Sequence, residues 1–318
     1  MTSRPETVAV VVVTFNRADL LARMLEGLAR LDRQPDAVIV VDNASTDHTR
    51  QVLDSVTDSG SIRNLVAIHS PDNLGGAGGF HHGVKVAYDQ GFDRIWLMDD
   101  DVVPAPDCLT VLLSQTGDDV GACLMAVRED ICGRLVEKAA TVFDLENPFA
   151  IKPKTASVET TYGTRDRMPE RVELQNVAFE GFLVRRDVVD AIGLPDPSYF
   201  IFYDDVDFAI RARRAGYRIW GVRDAVLVRQ LDFDQQHDLA GWKGFYMYRN
   251  LFVVHFRYGA NLLVRLKPYL ITLVVLLLSP LGGGRAEAGN VVRAIRSARG
   301  MRHVPAVAGP PGHRPSLD

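Results

Sequence analysis

The sequence contains few cysteines and no marked excess of charge of either sign. Its 318 residues include three cysteines, Cys108, Cys123 and Cys132, an odd number without the spacing of metal ligands. This pattern excludes a disulfide framework and predicts reduced thiols in a cytosolic protein. The formal net charge of −4 gives no electrostatic reason to expect nucleic acid as a partner. Residues 1–16 lack the features of a signal peptide, so we expect a protein that is not secreted.

A hydrophobic run long enough to cross a membrane in one pass is also missing. The best candidate, Pro268–Gly284, has 17 uncharged residues where a spanning helix needs about 20, and Pro280 interrupts it. Five arginines and one acid follow in residues 285–303. We therefore expect residues 256–303 to form a helical, membrane-associated extension on the membrane surface, followed by a disordered tail at 304–318. The alternative is that the apolar segment forms a helix buried in the protein core and that the basic segment after it is a solvent-exposed helix packed beside it.

The first third of the chain alternates regularly between strand and helix patterns. Continuous β-branched runs predict strands buried on both faces, and segments with apolar residues at helical spacing separate them. The predicted elements are strand Thr7–Thr14, helix Ala18–Leu31, strand Ala37–Val41, a helix from Ser45 to about Val56, strand Leu65–His69, helix Gly75–Tyr88 and strand Arg94–Met98. This order predicts an α/β fold with a mainly parallel, Rossmann-like sheet flanked by helices.

The rest of the chain is less regular. The predicted elements are helix Cys108–Ser114, strands Val120–Val127 and Val177–Val184, helix Asp204–Ala215, and short strands Arg218–Val222 and Ala225–Val228. Residues 144–175 are polar and contain proline, so we expect an irregular, mobile loop over the site.

The strand that begins at Arg94 ends on three consecutive carboxylates, Asp99, Asp100 and Asp101. Three adjacent like charges are costly unless a cation or a ligand neutralises them. Because alternate side chains of a strand point the same way, we expect Asp99 and Asp101 to converge on one hard cation, with Asp100 turned aside. Carboxylate oxygens suit Mn²⁺ or Mg²⁺. The alternative is a solvated acidic turn.

Polar residues also follow two other predicted strands, at Thr14–Arg17 and at Asp42-Asn43. Open α/β sheets bind ligands outside the carboxyl ends of their strands, so these groups should meet the triple aspartate in one crevice. Asp42 can accept a hydrogen bond from a uracil N–H or a ribose hydroxyl, or it can cap the following helix. The glycine-rich segment Asn73–Gly79 opens a helix, where unpaired N–H groups favour phosphate.

A third acidic group lies at the start of a predicted helix. The aromatic run Tyr199–Tyr203 leads directly to Asp204, Asp205 and Asp207. One of these acids could be a general base that faces an acceptor hydroxyl, while its neighbour orients a sugar. The alternative is N-capping, which one of the three carboxylates is expected to provide.

Five motifs occur in one order along the chain. They are the strand end Thr14–Arg17, Asp42-Asn43-x-Ser45-x-Asp47, Asn73-x-Gly-Gly-x-Gly-Gly, the triplet Asp99–Asp101, and Tyr203-Asp204-Asp205-x-Asp207. Together they resemble family 2 of the inverting glycosyltransferases, which have the GT-A fold. Within that family, the glycine-rich segment and the Trp242…Tyr248-Arg249-Asn250 segment are most similar to actinobacterial galactofuranosyltransferases. The resemblance covers roughly residues 7–255 and implies a GT-A domain at residues 1–255.

The resemblance implies a role for each matching position. The nucleotide sugar is expected to contact Thr14, Phe15, Arg17, Asp42, Asn73, Gly75, Gly76, Asp99 and Asp100. Asp99 and Asp101 are expected to bind Mn²⁺ or Mg²⁺, which bridges the diphosphate. Asp205 is expected to be the catalytic base, with Asp204 beside it in contact with a sugar.

One position departs from the family pattern. Family members commonly place a metal-binding histidine after the strand that follows the Asp-Asp helix, and here Arg229 lies near that position. His237, eight residues later, becomes the expected third metal ligand if its loop folds back. Otherwise the metal has only carboxylates, phosphates and water as ligands, or Arg229 neutralises the diphosphate itself.

The implied activity is the transfer of galactofuranose from UDP-galactofuranose to a polyprenyl-linked cell-wall glycan. The implied location is the cytosolic face of the cell membrane, with homo-oligomers as a further expectation. The alternatives are a rhamnosyltransferase that uses dTDP-rhamnose and a non-catalytic relative that binds a nucleotide. A nucleotidyltransferase would need a basic, glycine-rich loop after the first strand, and residues 14–18 do not provide one.

Overall fold

The computed structural model describes residues 4–115, 120–150, 152–231, 239–279 and 284–303. The predicted tail at residues 304–318 and the predicted metal ligand His237 lie outside these ranges.

Within these ranges the strands are β1 Val8–Thr14, β2 Ala37–Asp42, β3 Leu65–His69, β4 Arg94–Asp99, β5 Val102–Pro104, β6 Cys123–Asp130, β7 Ala140–Phe143, β8 Lys154–Ser157, β9 Arg171–Leu174, β10 Phe182–Arg185 and β11 Ile219–Arg229. The α-helices are α1 Ala18–Ala29, α2 Thr49–Ser59, α3 Gly75–Asp89, α4 Cys108–Leu113, α5 Val158–Tyr162, α6 Arg186–Ile192, α7 Asp204–Arg214, α8 Trp242–Tyr258, α9 Leu262–Leu278 and α10 Gly284–Gly300. The first seven predicted elements are present, although α2 begins at Thr49 rather than at Ser45.

Nine of these strands form one mixed sheet. Its order is β3-β2-β1-β4-β10-β6-β11-β5, and β9 pairs with the first part of β11. The strands β1 to β4 pair in parallel, whereas β10 runs antiparallel between β4 and β6. β11 runs parallel to β6 and antiparallel to β5 and β9. The predicted α/β class, a sheet flanked by helices, is confirmed, with a second half that is mixed rather than parallel.

Helices cover both faces of the sheet, which explains why every residue of β1 is buried. On one face, Val11 belongs to an apolar cluster that includes Val84 of α3 and Phe208 of α7. On the other face, Val10 belongs to a cluster that includes Leu25 of α1. Because both faces are filled, the edge formed by the strand ends remains as the place for a site.

The prediction of an irregular loop at residues 144–175 is wrong, because the segment contains regular elements. β7 and β8 pair antiparallel, α5 begins with a capping box between Ser157 and Thr160, and β9 joins the main sheet. These strands have only four residues each, which is too short for an alternating pattern to be recognised in the sequence.

Several predicted strand bounds also change. The two short strands predicted at residues 218–228 are one strand, β11, whose register with β6 shifts between Val222 and Val226, as at a β-bulge. The strand predicted from Val177 begins only at Phe182, and the one predicted from Val120 begins at Cys123.

The helix α8 continues through the domain boundary predicted between residues 255 and 256, and α10 packs along it. Tyr248 of α8 donates a hydrogen bond to Glu287 of α10 at 2.5 Å. In the part of the chain that the structure describes, no helix is long and apolar enough to span a membrane. The buried residues of α9 are Val264, Lys267 and Pro268, so most of this apolar helix faces outward.

Candidate active site

The carboxyl ends of β2, β1 and β4 lie side by side. Thr14 is opposite Asp42 in the register of β1 with β2, and Val13 is opposite Asp99 in the register of β1 with β4. The structure therefore brings together the polar strand ends that the sequence predicted to share a crevice. Open α/β sheets bind ligands at such an edge, which makes it the candidate active site.

Asp100 connects two of these strand ends. Its Oδ2 accepts a hydrogen bond from Oγ1 of Thr14 at 2.7 Å, and its Oδ1 accepts one from Arg17 at 3.0 Å. Burial raises the pKa of Asp100, and the Arg17 guanidinium opposes that rise. The position of Asp100 cannot be derived from strand alternation, because β4 ends at Asp99.

Asp99, Asp101 and Glu180 form a second acidic group, called the carboxylate cluster below. Burial and the negative charge of Glu180 together raise the pKa values of Asp99 and Asp101. Burial acts on Glu180 in the same direction and is the largest influence, but the guanidinium groups of Arg128, Arg229 and Arg17 together outweigh it and hold the pKa of Glu180 below its usual value. Negative charge is thus concentrated where a cation would relieve it.

The carboxylate cluster provides some of the ligands that a divalent cation requires. Oδ1 of Asp101 is buried and has no hydrogen-bond partner among the described residues. A buried polar atom of this kind is costly unless it gains a partner, so Asp101 is suited to be a ligand. Within the described ranges, however, no three His, Cys, Asp or Glu side chains are placed to hold a metal by themselves. Asp99 and Asp101 therefore fit a metal whose remaining ligands come from donor phosphates or water.

Arg229 brings a positive charge to the same cluster. Its NH2 atom lies 3.7 Å from Oδ2 of Asp101, and its NH1 atom lies 3.6 Å from Oε2 of Glu180. NH1 of Arg17 lies 3.6 Å from the same Asp101 oxygen. Two guanidinium groups therefore contact one of the predicted metal ligands.

The nucleoside side of the site is formed around Asp42. Its Oδ1 accepts a hydrogen bond from the backbone N–H of Ser45 at 2.9 Å, and its Oδ2 lies 2.9 Å from Nδ1 of His69. Since each carboxylate oxygen can accept a second hydrogen bond, Asp42 can still bind a nucleoside. Phe15 is exposed at the next strand end and offers an aromatic face. The N–H of Thr49, the first residue of α2, donates to Asp47 and not to Asp42, at 3.0 Å.

Much of the glycine-rich segment is explained by packing. Gly75 has a φ of +70°, and a Cβ there would lie 2.0 Å from the carbonyl oxygen of Phe200. A Cβ at Gly79 would lie 2.5 Å from a valine side chain of β1, so this glycine lets α3 approach the sheet. At Gly76 a Cβ would meet nothing within 4 Å. Asn73 accepts a hydrogen bond from the Gly75 N–H at 2.8 Å. Donor contacts by this segment therefore stay a prediction, and the open backbone at Gly76 suits them best.

The acids at the start of α7 have different environments. Asp207 is fully buried and accepts hydrogen bonds from Tyr199, Arg211, Arg257 and Tyr258. Burial and the charge of Asp205 raise the pKa of Asp204 well above its usual value. Burial raises the pKa of Asp205 to about 6, with a smaller contribution from Glu180. A carboxylate with this pKa is ionised at neutral pH and is still a useful base.

The loop before α7 has a strained backbone. Phe200, Phe202 and Tyr203 have φ values of 63°, 65° and 67°, a conformation that aromatic residues keep only when their surroundings hold it. Nδ2 of Asn250 in α8 donates to the carbonyl oxygens of Tyr199, Ile201 and Phe202 at 3.0, 2.7 and 2.9 Å. This side chain therefore fixes the loop that leads to Asp204 and Asp205.

Two residues that contribute to this site were not predicted from the sequence. Glu180 is a single acid before a short strand, and His69 is the last residue of β3. Neither belongs to a motif. For His69, its position at the end of a predicted strand was the one sequence feature that could have indicated a place in the site. No sequence feature indicated Glu180.

Comparisons with known proteins agree with this fold. A family model described as Glycosyl transferase family 2 matches residues 9–193. Galactofuranosyltransferase GlfT1 of Mycolicibacterium smegmatis is 37% identical over 213 residues, which cover 66% of this chain and 67% of that protein. GlfT1 of Mycobacterium tuberculosis is 32% identical over 238 residues, which cover 72% of each chain. The solved structure of the mannosyltransferase PcManGT from Pyrobaculum calidifontis, in complex with GDP-Man and Mn²⁺, has a TM-score of 0.56 and 19% identity, covering 96% of this chain and 79% of that one.

The mixed sheet and its flanking helices thus define a glycosyltransferase of the GT-A fold. The chain belongs to glycosyl transferase family 2, whose model matches more than half of its residues.

Proposed function

We propose that this protein is an inverting galactofuranosyltransferase, which transfers galactofuranose from UDP-galactofuranose to a hydroxyl group of a lipid-linked cell-wall glycan. The observation that carries the reaction class is the edge of the sheet where the polar ends of β1, β2 and β4 lie side by side, in a chain whose residues 9–193 match the family model. Asp205, whose pKa is raised by burial to about 6, is the proposed base. The choice of donor sugar is supported by the 37% identity to a galactofuranosyltransferase over 66% of the chain.

In the proposed reaction, Asp205 accepts the proton of the acceptor hydroxyl. The acceptor oxygen attacks the anomeric carbon from the face opposite UDP, and the bond from that carbon to the diphosphate oxygen breaks. The configuration is inverted without a covalent enzyme intermediate. Asp204, whose pKa is raised by burial and by the charge of Asp205, lies beside the base and is proposed to contact a sugar hydroxyl.

The donor nucleotide is proposed to lie along the strand ends. Phe15 and Asp42 hold the uridine, with Asp42 kept in place by Ser45 and His69. Arg17, anchored by Asp100, directs positive charge to the diphosphate. A Mn²⁺ or Mg²⁺ ion held by Asp99 and Asp101 would add positive charge beside the departing diphosphate.

A lipid-linked acceptor requires contact with a membrane, and α9 supports that part of the proposal. Its 17 residues give a helix of about 25 Å, which is shorter than a hydrocarbon core of about 30 Å. Leu263, Leu270 and Leu277 are 61%, 59% and 66% exposed along it. The neighbouring α10 carries exposed arginines. An exposed apolar helix beside exposed basic residues is typical of binding to an anionic membrane surface, here the cytosolic face of the cell membrane.

A donor screen tests this proposal. The full-length protein is given UDP-galactofuranose, UDP-galactopyranose or dTDP-rhamnose with a polyprenyl-linked acceptor, and both nucleotide release and sugar transfer are measured. We expect the fastest transfer from UDP-galactofuranose. Asp205→Asn should lower kcat by at least about 100-fold while UDP binding persists, because it removes only the base.

Asp224→Asn is the matched control, because it changes an aspartate of β11 whose carboxylate is paired with Arg223 away from the site. It should keep full activity. Faster transfer from dTDP-rhamnose would favour a rhamnosyltransferase, and nucleotide binding without turnover of any donor would favour a non-catalytic relative.

A further inference from the structure

Arg229 places a buried guanidinium group against two members of the carboxylate cluster. Its side chain is 10% exposed and lies within ion-pair distance of Asp101 and Glu180, at 3.7 and 3.6 Å. A positive charge this close to Asp101 competes with any metal for the same carboxylate and repels the metal. It also offers positive charge to a ligand that carries phosphate.

The backbone of Arg229 is fixed by the sheet. Arg229 is opposite Val102 of β5 and Asp130 of β6, so its backbone is paired on both sides. The N–H of the next residue, Gln230, donates to the carbonyl oxygen of Asp101 at 2.8 Å. From this fixed backbone the side chain reaches the cluster, where ion pairs with Asp101 and Glu180 hold its guanidinium in this structure.

The other two guanidinium groups at the site are held differently. Arg17 is 46% exposed and precedes α1 in a loop. Arg128 donates three hydrogen bonds to Glu137, from its backbone N–H and its guanidinium, and a further one to Glu180, and it is almost fully buried. Arg229 is the guanidinium that combines burial, a sheet-fixed backbone and contact with a predicted metal ligand.

We propose that Arg229 is a resident cation of the donor site. Its positive charge neutralises part of the donor diphosphate, a role that the metal and Arg17 would otherwise fill alone. The same charge weakens metal binding at Asp101. The inference rests on the proposed function, because it assumes a nucleoside diphosphate donor at the strand ends. Two consequences can be measured without turnover: UDP binds in the absence of metal, and Mn²⁺ binds more weakly than the two aspartates alone would allow.

Calorimetric titration of the full-length protein with UDP, in EDTA and in saturating Mn²⁺, measures the first consequence. Arg229→Gln should lose metal-free UDP affinity by on the order of tenfold, the worth of one charge-assisted hydrogen bond. With Mn²⁺ present the loss should be under about threefold, because the metal then supplies the charge. Arg229→Lys keeps the charge and should retain part of the metal-free affinity.

Titration of the protein with Mn²⁺, followed by electron paramagnetic resonance, measures the second consequence. Arg229→Gln should bind Mn²⁺ several-fold more tightly than the wild type. Arg223→Gln is the matched control, because Arg223 lies on the same strand but pairs with Asp224 away from the cluster. It should change neither titration.

Three results would overturn the inference. They are wild-type UDP affinity that disappears in EDTA, equal losses for Arg229→Gln with and without metal, and an Arg229→Lys variant that behaves like Arg229→Gln. The first uses only the wild type, so it decides the question even if a variant does not fold. If UDP and Mn²⁺ bind as expected but no sugar is transferred from any donor, the proposed function is contradicted and the inference about Arg229 stands. UDP binding in neither condition would contradict both.

Discussion

Thr14 donates a buried hydrogen bond to Oδ2 of Asp100 at 2.7 Å, which joins the end of β1 to the turn after β4. The two residues are 86 positions apart, so this bond forms only when the sheet has assembled. The other oxygen of Asp100 holds Arg17. The loop between β1 and α1 is therefore positioned by a side chain of the triple aspartate.

Thr14→Val keeps the shape of the side chain and removes the donor. The free energy of unfolding should fall by about 1–3 kcal/mol, because a buried carboxylate oxygen loses its partner. Urea denaturation measures this change. Thr57→Val is the control, since Thr57 donates to a carbonyl of its own helix, and it should cost less than about 1 kcal/mol. Equal effects at the two sites would contradict the assigned role of Thr14.

The pH dependence of kcat should report Asp205. Burial raises its pKa from 3.8 to about 6, and the base must be ionised to accept a proton. Activity should therefore be low at pH 5, rise through about pH 6 and level off above pH 7. A profile of kcat against pH, recorded with saturating substrates, measures this rise in activity. A profile that is flat between pH 5 and 7 would exclude Asp205 as the base.

The same shift has a consequence for stability. Because the folded pKa of Asp205 lies above its unfolded value, the folded state binds more protons between about pH 4 and pH 6. The contribution of Asp205 to stability is thus complete below that window and is lost as the pH rises through it. Asp205→Asn cannot ionise and should melt at a higher temperature than the wild type at pH 7. The two melting temperatures should approach each other near pH 4.

Asn250→Asp should disrupt the loop that carries the base. The change replaces an amide that donates to three carbonyl oxygens with a carboxylate that cannot donate. We expect a loss of at least about 2 kcal/mol in the free energy of unfolding and a lower kcat, because the left-handed loop loses its support. Chemical denaturation and steady-state kinetics measure both effects.

Asn261→Asp is the matched control for this change. Asn261 caps α9 by accepting a hydrogen bond from Val264, and an aspartate can do the same. Its Nδ2 donates to one exposed carbonyl oxygen, that of Glu146, so the control loses one exposed contact where Asn250 loses three. It should alter stability by less than about 1 kcal/mol. Similar losses in the two variants would argue against a special role for Asn250.

Membrane binding should depend on the exposed leucines of α9. Replacing Leu263, Leu270 and Leu277 together with glutamate removes apolar contact area and adds charges that anionic lipids repel. Sedimentation with anionic liposomes should fall by at least about tenfold, while the melting temperature stays close to that of the wild type.

A triple variant of α2, with glutamate at the exposed residues Gln51, Ser55 and Ser59, adds a similar charge away from α9. It should bind liposomes almost as well as the wild type. Equal losses in the two triple variants would indicate that net charge, and not the apolar surface of α9, controls binding.

The strands β1 and β2 could be predicted because each is a mostly β-branched run buried on both faces, which leaves a clear signal in the sequence. The strands β3 and β4 are short apolar runs whose place in the regular alternation with helices made them predictable. The elements between residues 140 and 174 could not be predicted, because short strands take their stability from distant partners, such as β11 for β9. The antiparallel direction of β10 likewise depends on its neighbours β4 and β6 and has no local signal.

The site shows the same division. The position of Asp99, Asp101 and Asp205 at the ends of elements could be predicted because runs of carboxylates there are rare and costly, and their roles as metal ligands and base stay predictions. The partners that set their pKa values and positions could not. Glu180 acts through proximity, and Asn250 acts through the carbonyl oxygens of a loop about fifty residues earlier. The glycines suggested phosphate binding, whereas Gly75 and Gly79 are required by close packing.

The contact between α8 and α10 limits how this protein can be divided. One side of α8 carries Asn250, which holds the base-bearing loop, and Tyr248 of the same helix bonds to Glu287 of α10. A truncation that removes the C-terminal helices to test the proposed membrane binding would therefore also disturb the loop that holds Asp205. The proposed membrane-binding helices and the loop that carries the proposed base therefore cannot be tested separately by truncation, and the proposed membrane binding has to be tested by substitution of exposed side chains.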